Sequence, residues 1–505
     1  MITKGDTPVF NKHFFLLLMI LLSGLVLGQR HFVAAETAVA ETAAPETAAP
    51  LAVQAVIGSG TAASCQTNDA VNAFSNAVEA GGVVDFNCGP DPVVIFVNTS
   101  LVYQQVTVNG DGRITLSGED LRQIFYVMGA GNLTLNDIEL VDGSAGSGGA
   151  LYIEPSSKAT LNNTSIRSSG ASSSGGAIYN WGTLTLNDSI LDSNQAAQDG
   201  GGIFNEGGSV VTIYNTDFYD NHALRGGAVA NAPASTVTIN GSAMSSNQST
   251  NDGGAVHNRG TLTATRATLG SNIAGVNGGG VFNNGGVVSL YSSYLVSNQS
   301  INGGGIYSVN GQLTVEGTAV RSSTTSNQGG GIFTASSTQI SNGTFSNNRA
   351  LKGGALFAIA NVTILNATFN ENRADLGGAI WREPSSTTTV KNSILAGSRN
   401  TNNSSPSLNC DGPTLTSLGR NIISDNSCVP NPGALGDLHG TDPELGQWLG
   451  STLHGYIPAD TSPAVDYGQD CPVVDQRGYP RPLGAACDVG SIERGTLVFV
   501  PLVIR

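Results

Sequence analysis

Three charged side chains at equivalent positions in the middle of the chain are the clearest candidates for chemistry. Asp199, Arg225 and Asp252 each stand directly before a Gly-Gly pair. Charged groups projecting side by side could act as general acid and base on an extracellular polysaccharide, or could hold a cation or a sugar hydroxyl. If the pairs mark successive turns of a repeat, the two aspartates lie about 10 Å apart, too far for the roughly 5 Å carboxylate pair of a retaining glycosidase. We favour the alternative, a solvated loop face, which the equivalent positions continue as Asn277, Asn302, Gln328 and Lys352.

A second set of candidate residues is a column of rings. The fifth position of ten Gly-Gly units reads Tyr152, Tyr179, Phe204, Ala230, His257, Phe282, Tyr307, Phe333, Phe357 and Trp381. This position alternates with an Ile, Val or Leu position, so the two sets of side chains point to opposite sides of a strand. An outward row of rings could stack on glycan rings or anchor a partner, which predicts binding at the eight ring-bearing positions from Tyr179 to Trp381. The alternative is an aromatic stack that is covered by loops such as Gln195–Asp199.

Composition and spacing exclude several other kinds of site. The chain has 37 Asp+Glu against 22 Lys+Arg and a net charge of −15, whereas a nucleic-acid surface needs clustered Lys and Arg. The residues His222, His257, His439 and His454 lack metal-ligand spacing, and no P-loop, G-x-S-x-G or H-E-x-x-H motif occurs. We therefore expect no metal, no cofactor and no nucleic-acid partner.

An internal repeat defines the elements that must position these residues. Gly-Gly pairs begin at residues 148, 175, 200, 226, 253, 278, 303, 329, 353 and 377, at intervals of 24 to 27 residues. Each unit holds three short runs rich in Val, Ile, Thr and Leu, which are typical of strands. In one unit the first run is Gly175–Asn180, the second is Thr183–Leu186 and the third is Ser189–Leu191. A polar loop then leads into the next Gly-Gly pair.

Apolar residues recur at fixed places in these units. The second run contributes Leu184, Val211, Val237, Leu262, Val288, Leu313 and Val362, and the third contributes Leu191, Phe218, Met244, Leu269, Leu295, Val320, Phe345, Phe369 and Leu395. One unit cannot close a core alone, whereas stacked units share one. The repeat therefore predicts an all-β fold: a parallel β-helix with three strands per turn of about 25 residues and about 4.8 Å between turns. Two Asn columns, which include Asn194 and Asn180, are interpreted as structural ladders in the turns.

The N-terminal part of the chain lacks the repeat. Residues 1–35, in which an apolar run follows Lys12, predict a secretory signal peptide, with an uncleaved anchor as the alternative. Residues 36–55 are predicted to be a Glu/Thr/Ala/Pro-rich linker, and 56–92 an N-terminal cap. Within that cap we expect a helix over 68–79, with Asp69 as its N-cap. The β-helix itself is assigned to residues 93–400.

The C-terminal part also loses the repeat. We assign residues 401–495 to a C-terminal cap, which an open-ended solenoid needs to cover its last strands. Residues 496–505 form an apolar tail that is too short to span a bilayer and is either a last strand or an anchoring signal. The cap holds a cluster of charged residues, namely Asp466, Asp475, Arg477, Arg481, Asp488 and Glu493. We interpret this cluster as an Arg–carboxylate network that locks the cap, with an acid/base site as the alternative.

The six cysteines fall into three local pairs: Cys65 with Cys88, Cys410 with Cys428, and Cys471 with Cys487. No C-x-x-C zinc spacing occurs. Export would place the chain in an oxidising compartment, where disulfides form and persist. We therefore predict a disulfide within each pair, with free thiols as the alternative.

Part of the repeat resembles a known family. The segments Phe218-x-x-Asn221, Phe345-x-x-Asn348 and Phe369-x-x-Asn372, together with the Gly-Gly-Ala units, resemble the polymorphic outer-membrane protein repeat over about residues 145–400. The succession Asp442-Pro-Glu-Leu445, Asp475-Gln-Arg-Gly478 and Cys487-Asp-Val-Gly is similar to the C-terminal region of choice-of-anchor-type β-helix proteins. These resemblances imply a right-handed, pectin-lyase-like β-helix and a role at the bacterial cell surface, several members of the first family being implicated in adhesion.

These features together predict a secreted or cell-surface β-helix protein that binds polysaccharide or a host or neighbouring cell surface, and that we expect to be non-catalytic. Membrane association is expected only through envelope anchoring, without a transmembrane helix in the mature chain. Two alternatives stay open. One is an extracellular polysaccharide lyase or hydrolase of pectin-lyase-like fold with its groove across Asp199, Arg225 and Asp252, and the other is a purely structural envelope protein.

Overall fold

The computed structural model describes residues 54–401, 405–430, 435–450 and 454–495. These residues form a parallel β-helix of about 14 turns, so the predicted all-β fold class is confirmed. The proposed signal peptide, the linker up to residue 53 and the apolar tail lie outside the described residues. The first strand begins at Gln54, two residues inside the segment assigned to the linker, and pairs with the strand Gly82–Phe86.

The first and second runs of each turn belong to one parallel sheet of 26 strands. First-run strands are Ser100–Val102, Phe125–Val127, Leu151–Ile153, Ile178–Asn180, Ile203–Asn205, Val229–Asn231, Val256–Asn258, Val281–Asn284, Leu356–Ala358, Ile380–Arg382 and Cys410–Asp411. Second-run strands are Gln54–Ile57, Gly82–Phe86, Gln105–Asn109, Asn132–Asn136, Lys158–Asn162, Thr183–Asn187, Val210–Tyr214, Thr236–Asn240, Thr261–Thr265, Val287–Tyr291, Val362–Leu365, Thr388–Lys391 and Thr416–Ser417. In two turns the first and second runs are continuous, as Ile306–Glu316 and Ile332–Ser341.

The third runs form a separate parallel sheet of 15 strands. They are Val93–Phe96, Ile114–Ser117, Glu139–Val141, Ser165–Arg167, Ile190–Asp192, Asp217–Tyr219, Ala243–Ser245, Thr268–Gly270, Tyr294–Val296, Ala319–Arg321, Thr344–Ser346, Thr368–Asn370, Ile394–Ala396, Ile422–Ile423 and Leu438–His439. The register places each predicted core residue on its equivalent one turn away, for example Leu191 on Phe218 and Phe218 on Met244.

The polar loop before each Gly-Gly pair contains a short fourth strand that the sequence analysis did not predict. These strands form an eight-stranded parallel sheet: Ser144–Ala145, Gly170–Ala171, Gln195–Ala196, His222–Arg225, Gln248–Asp252, Ile273–Ala274, Gln299–Asn302 and Thr324–Gln328. The sequence does not indicate these strands because their residues are mostly polar and at most one small side chain per strand, such as Ala196 or Ala274, is buried. Backbone hydrogen bonds to the neighbouring turns therefore stabilise these short strands, although their side chains are typical of a loop.

Both residues of the Gly-Gly pair have backbone requirements that only glycine meets. Gly175 has a φ of +69°, and a Cβ there would lie 2.4 Å from the carbonyl oxygen of Ile178. A Cβ on Gly176 would lie 2.2 Å from the carbonyl oxygen of Gly201 in the next turn. The first residue thus needs the left-handed conformation and the second needs close contact between turns, so no other residue type fits at either position.

The interior of the helix is a continuous apolar core. Leu184, Val211, Leu191 and Phe218 are at most 1% exposed, as are nearly all their equivalents in other turns. Both predicted Asn columns are buried ladders: the side chain of Asn180 donates to Asn205 at 2.8 Å, and that of Asn194 donates to Asn221 at 3.0 Å. A further ladder, which the sequence analysis missed, joins Asn109, Asn136, Asn162 and Asn187.

An amphipathic helix covers the N-terminal end of the core. After a short helix, Ala62–Cys65, the helix Asn68–Ala80 buries Phe74 and Val78. The predicted N-cap was wrong: the Thr67 hydroxyl accepts from the Ala70 backbone N–H, and Asp69 lies in the first turn. A threonine hydroxyl at this position also accepts from a free amide, and the Asp69 carboxylate in the first turn interacts favourably with the helix dipole.

The C-terminal part is more than the end cap that the sequence analysis assigned. Strands up to Leu438–His439 continue the stack, but the following residues turn back along the outside of the third-run sheet. There the ring of His454 stacks on Tyr294 at 3.9 Å, and Ser491 hydrogen-bonds Thr344 at 2.6 Å. This segment, residues 444–494, also contains the hairpin of Leu445–Leu449 and Gly455–Pro458.

Third-run side chains explain where this segment binds. In covered turns the outward residues are small or apolar, such as Thr344, Thr368 and Ile394, and all three are buried. In uncovered turns the outward positions also carry exposed charged side chains, such as Arg167 and Asp217, beside Ile190 and Tyr219. The segment therefore buries a face that would otherwise present apolar surface to solvent.

Each predicted cysteine pair forms a disulfide: Cys65–Cys88, Cys410–Cys428 and Cys471–Cys487. The first links the helical cap to the second strand, and the third holds the segment 444–494 closed on itself. Within the described ranges, no helix has both the length and the apolar character needed to cross a membrane.

Candidate functional site

The aromatic column forms a stacked ladder on the outside of the first-run strands. Successive rings pair across the sheet, and Tyr152 and Tyr179 stack with centroids 4.8 Å apart and planes within 3°. Tyr307 and Phe333 stack at 4.3 Å, and so do Phe357 and Trp381. The spacing follows from the fold, because adjacent strands lie about 4.8 Å apart, close to the distance at which rings stack.

The rings of the ladder differ in how far they are exposed to solvent. His257, Phe282, Phe333 and Phe357 are 1–6% exposed, so these rings are covered. Half-buried rings, which show an edge to solvent, are Tyr126, Tyr152, Tyr179, Phe204, Tyr307 and Trp381. The ladder therefore stiffens the outer wall of the helix, and it also presents ring edges from Tyr126 to Phe204 at one end, at Trp381 at the other end and at Tyr307 between them.

The charged candidates form a second column, here called the polar column. Asp199, Arg225, Asp252, Asn277, Asn302, Gln328 and Lys352 pair in register from turn to turn. Arg225 binds Asp199 through two contacts, of 2.6 Å to Oδ1 and 2.9 Å to Oδ2. Asn277 donates to Asp252 at 2.9 Å, and Asn302 donates to Asn277 at 3.0 Å. Neighbouring turns thus satisfy one another's polar groups.

The structure brings the two predicted sets of residues together on one face. The ammonium group of Lys352, in the polar column, lies 5.3 Å from the ring centre of Trp381 in the ladder. Asp199 and Arg225 line the same pocket as Phe204 and His257. Each polar-column residue is followed by the tight Gly-Gly turn, which returns the chain to the ladder a few residues later. The face therefore carries a row of rings beside a row of hydrogen-bonding groups.

Burial shifts the pKa values of several groups on this face. Burial lowers the pKa of His257 to about 3, assisted by the positive charges of Arg225 and Arg259, so its imidazole is neutral at physiological pH. Burial raises the pKa of Asp252, although the hydrogen bond from Asn277 and the charge of Arg225 oppose the shift. Burial and then the hydrogen bond to Glu154 raise the pKa of Tyr126 to about 12.

The charged cluster at the C-terminus is an internal network. Arg481 binds Glu493 at 3.0 Å with both side chains at most 1% exposed, and Arg477 binds Asp475 at 2.7 Å. Arg481 also donates to the carbonyl oxygens of Asp488 and Gly490. These groups use their hydrogen bonds on one another, which agrees with the locking role. Across the described segments, no three His, Cys, Asp or Glu side chains converge as metal ligands would.

Several residues of this face were missed from the sequence. Tyr126 extends the ladder by one turn, but it is not preceded by the Gly-Gly pair that identified the other members. Glu206 and Arg259 lie beside the ladder, three residues after the first-run Ile203 and Val256, and no column of one residue type identified them. Both residues lie six positions after the first glycine of a Gly-Gly pair, and this shared position could have identified them from the sequence.

The chain shares little with known protein families. No protein-family model matches it, and no curated protein matches it at a significant level. Among solved structures it is similar to PfbA, a surface adhesin of Streptococcus pneumoniae, with 10% sequence identity and a TM-score of 0.39, covering 66% of this chain and 89% of that one. At this score the likeness carries no argument about function. The repeat family and the anchor-type region stay predictions.

Proposed function

We propose that this protein is a secreted or cell-surface β-helix that binds glycans on a surface or in a matrix without turning them over. The observation that carries the proposal is the face that joins the aromatic ladder to the polar column. A sugar ring has apolar C–H faces and a polar hydroxyl edge, so it is bound best by a ring beside hydrogen-bonding groups. The ladder offers the first and the polar column offers the second.

The repeat length suits a chain-like ligand. Equivalent side chains recur about every 4.8 Å along the helix axis, so a polymer lying along the face meets the same groups several times. Half-buried Tyr307 and Trp381 are examples of such repeated groups, and Lys352 lies beside Trp381. Weak contacts of this kind add when they are linked, which gives a solenoid useful affinity without one deep pocket.

Partners and location belong to the same proposal. A net charge of −15 disfavours nucleic acid, and three disulfides suit an oxidising compartment. The predicted leader of residues 1–35 would deliver the chain there, and anchoring by the C-terminal tail would hold it at the envelope. The partner is then a polysaccharide or a glycan-coated cell surface.

The charged candidates support binding more than catalysis. Asp199 is held by both of its oxygens in the ion pair with Arg225, which leaves it poorly placed to deliver or accept a proton. Asp252 is held by Asn277 and Asn251. The two carboxylates stand two turns apart, roughly 10 Å, beyond the 6.5–9.5 Å that an inverting glycosidase uses.

A polysaccharide panel tests this proposal. The purified secreted protein should be retained on at least one immobilised polymer among pectin, alginate, xylan, cellulose and extracted surface polysaccharide. Replacing Tyr307 by alanine should weaken retention by about 1 kcal/mol, or roughly fivefold, because one stacking surface is lost. Tyr219→Ala is the matched control, since this exposed tyrosine lies on the third-run face and should have no effect.

Two outcomes would contradict the proposal. Retention on none of the polymers would refute glycan binding and leave the purely structural role. Release of reducing ends or of unsaturated products, abolished by Asp252→Ala, would instead establish the catalytic alternative and would overturn the non-catalytic conclusion.

A further inference from the structure

The aromatic ladder is interrupted at one turn. Strand pairing places Ala230 between Phe204 and His257, so a methyl group stands where a ring stands in the turns on either side. Elsewhere in the ladder neighbouring ring centres lie 4.3–5.5 Å apart. Phe204 and His257 are two turns apart, about 9.6 Å. This separation leaves room for one ring between them.

A pocket occupies this interruption, and we call it the ladder slot. It has a volume of about 140 Å³ and is lined by Phe204, Glu206, Ala230, His257 and Arg259, among others. The residue after the strand in the same turn is Ala232, so both neighbouring outward positions are small and form the floor of the slot. A cavity of about 150 Å³ accepts a benzene molecule, so the slot is large enough for a six-membered ring.

The rim of the slot is polar on all sides. Glu206 stands on one side, where it accepts from the Gly207 backbone N–H at 2.9 Å and from the hydroxyl of Tyr179. The Asp199–Arg225 ion pair stands at one end. Arg259 stands on the other side, is exposed, and makes no ion pair with any residue that the structure describes.

His257 forms the wall of the slot opposite Phe204. Its side chain is 6% exposed, yet no described residue hydrogen-bonds to its ring nitrogens. Because burial and two nearby guanidinium groups keep the imidazole neutral, one nitrogen is a donor and the other an acceptor. These ring nitrogens are not among the buried polar atoms that lack a partner, so solvent reaches them, and the ring offers an uncharged face to a ligand in the slot.

We propose that the ladder slot binds a single neutral hexopyranose ring of the glycan, held between Phe204 and His257. The apolar faces of the sugar stack on the two walls, and its hydroxyls bond Glu206 and Arg259 at the rim. A sugar fits better than an aromatic side chain of a protein partner, because the rim carries hydrogen-bonding groups that a benzene ring would leave unpaired. A neutral sugar fits better than a uronate, because two carboxylates at the rim balance two guanidinium groups.

Filling the slot with an aromatic side chain tests this proposal. The variant Ala230→Phe fills the slot with the side chain that the neighbouring turns carry, and it should fold at least as stably as the parent. The probes are methyl glycosides of glucose, galactose and mannose, with methyl glucuronoside and p-cresol as comparisons, measured by saturation-transfer NMR and calorimetry. We expect millimolar binding of at least one neutral glycoside by the parent protein, and binding at least about tenfold weaker by Ala230→Phe.

Further variants separate the slot from the rest of the face. Arg259→Ala changes only an exposed rim residue and should weaken the glycoside several-fold without changing thermal stability, which keeps the test valid if Ala230→Phe folds poorly. Phe333→Ala removes a ring between Tyr307 and Phe357, in a part of the ladder that does not touch the slot and has no Glu206–Arg259 rim, and the gap it opens should bind no glycoside. Binding of p-cresol in preference to every glycoside would overturn the proposal in favour of a protein side chain.

The inference rests on the proposed glycan-binding function, and the two fail differently. Undiminished glycoside binding by Ala230→Phe, or no glycoside binding by the parent, would overturn the slot while polymer retention still supported the wider function. Glycoside binding that Ala230→Phe abolishes, without retention on any polymer, would support the slot and refute the wider function.

Discussion

Replacing Asn221 by alanine tests whether the buried amide ladder is a main source of stability in this fold. The side chain of Asn221 is fully buried and makes four hydrogen bonds. Its Nδ2 donates to Leu191 O at 2.8 Å and to Asn247 Oδ1 at 2.9 Å, while its Oδ1 accepts from the backbone and side-chain nitrogens of Asn194 at 3.1 and 3.0 Å. Alanine removes all four at once.

The expected loss follows from the number of partners left unpaired. A net contribution of about 1 kcal/mol per hydrogen bond gives a loss of about 4 kcal/mol in the free energy of unfolding. The partners are buried in the interior of neighbouring turns, where water cannot replace the lost amide. The loss should appear as a lower midpoint in guanidinium denaturation followed by circular dichroism.

Two further variants show whether this reasoning is right. Asn240→Ala lies in the adjacent second run, is half-buried and makes no side-chain hydrogen bond with any residue in the described ranges, so it should change stability by less than about 0.5 kcal/mol. Ser323 occupies the one interrupted position of the ladder, between Asn298 and Asn348, and Ser323→Asn should raise stability by about 1–2 kcal/mol. If Asn221→Ala cost no more than Asn240→Ala, the ladder would not be a main contributor.

The remaining predictions concern titration, a disulfide and the buried ion pair. The pKa of the His257 imidazole is about 3 in the folded protein and about 6.5 in the unfolded chain, so the unfolded chain binds the proton more readily. This group should therefore lower the free energy of unfolding by up to about 1.4 kcal/mol per pH unit as the pH falls from 6 to 4. His257→Phe should flatten that slope, and an unchanged slope would mean that other groups cause it. Replacing Cys65 and Cys88 by alanine should cost about 3 kcal/mol, measured as a lower denaturation midpoint, because the bridge closes a loop of 23 residues. Arg481→Ala leaves the buried carboxylate of Glu493 unpaired and should cost about 3–5 kcal/mol locally, so limited proteolysis should cut residues 444–494 first. Cleavage at the N-terminal cap instead would contradict that account.

Periodicity explains why so much of the fold was predictable. A repeat of 24 to 27 residues with fixed apolar positions has few ways to bury them, so stacking and register follow directly from the sequence. Register in turn places Tyr179 beside Phe204 and Asn194 beside Asn221. The aromatic ladder, the two predicted Asn ladders and the polar column were accessible for this reason, because each depends on which residue lies one turn away. The cysteine pairs were accessible because the partners lie close in sequence.

Other features were beyond the sequence because they depend on contacts between columns or on non-repeating chain. The fourth strand had no apolar pattern of its own, and its backbone pairing became visible only when the turns were stacked. The segment 444–494 was assigned to an end cap, because nothing in its sequence indicates the face formed by Thr344, Thr368 and Ile394. Both cases involve partners that are distant in sequence and have no repeated spacing.

The amino-acid sequence alone determined the β-helix, its core, its glycine turns and the order of rings along one column. The tertiary structure decided that this column and the polar column lie on the same face, and it decided which rings are covered. It also showed that Ala230, which looks like an irregular member of the aromatic column, leaves a slot between two rings. The physical reason is that neighbours along a column are fixed by the repeat length. Which residues of different columns meet depends on how tightly each loop bends. Many different loop sequences produce the same bend, so these contacts cannot be predicted from the repeat length.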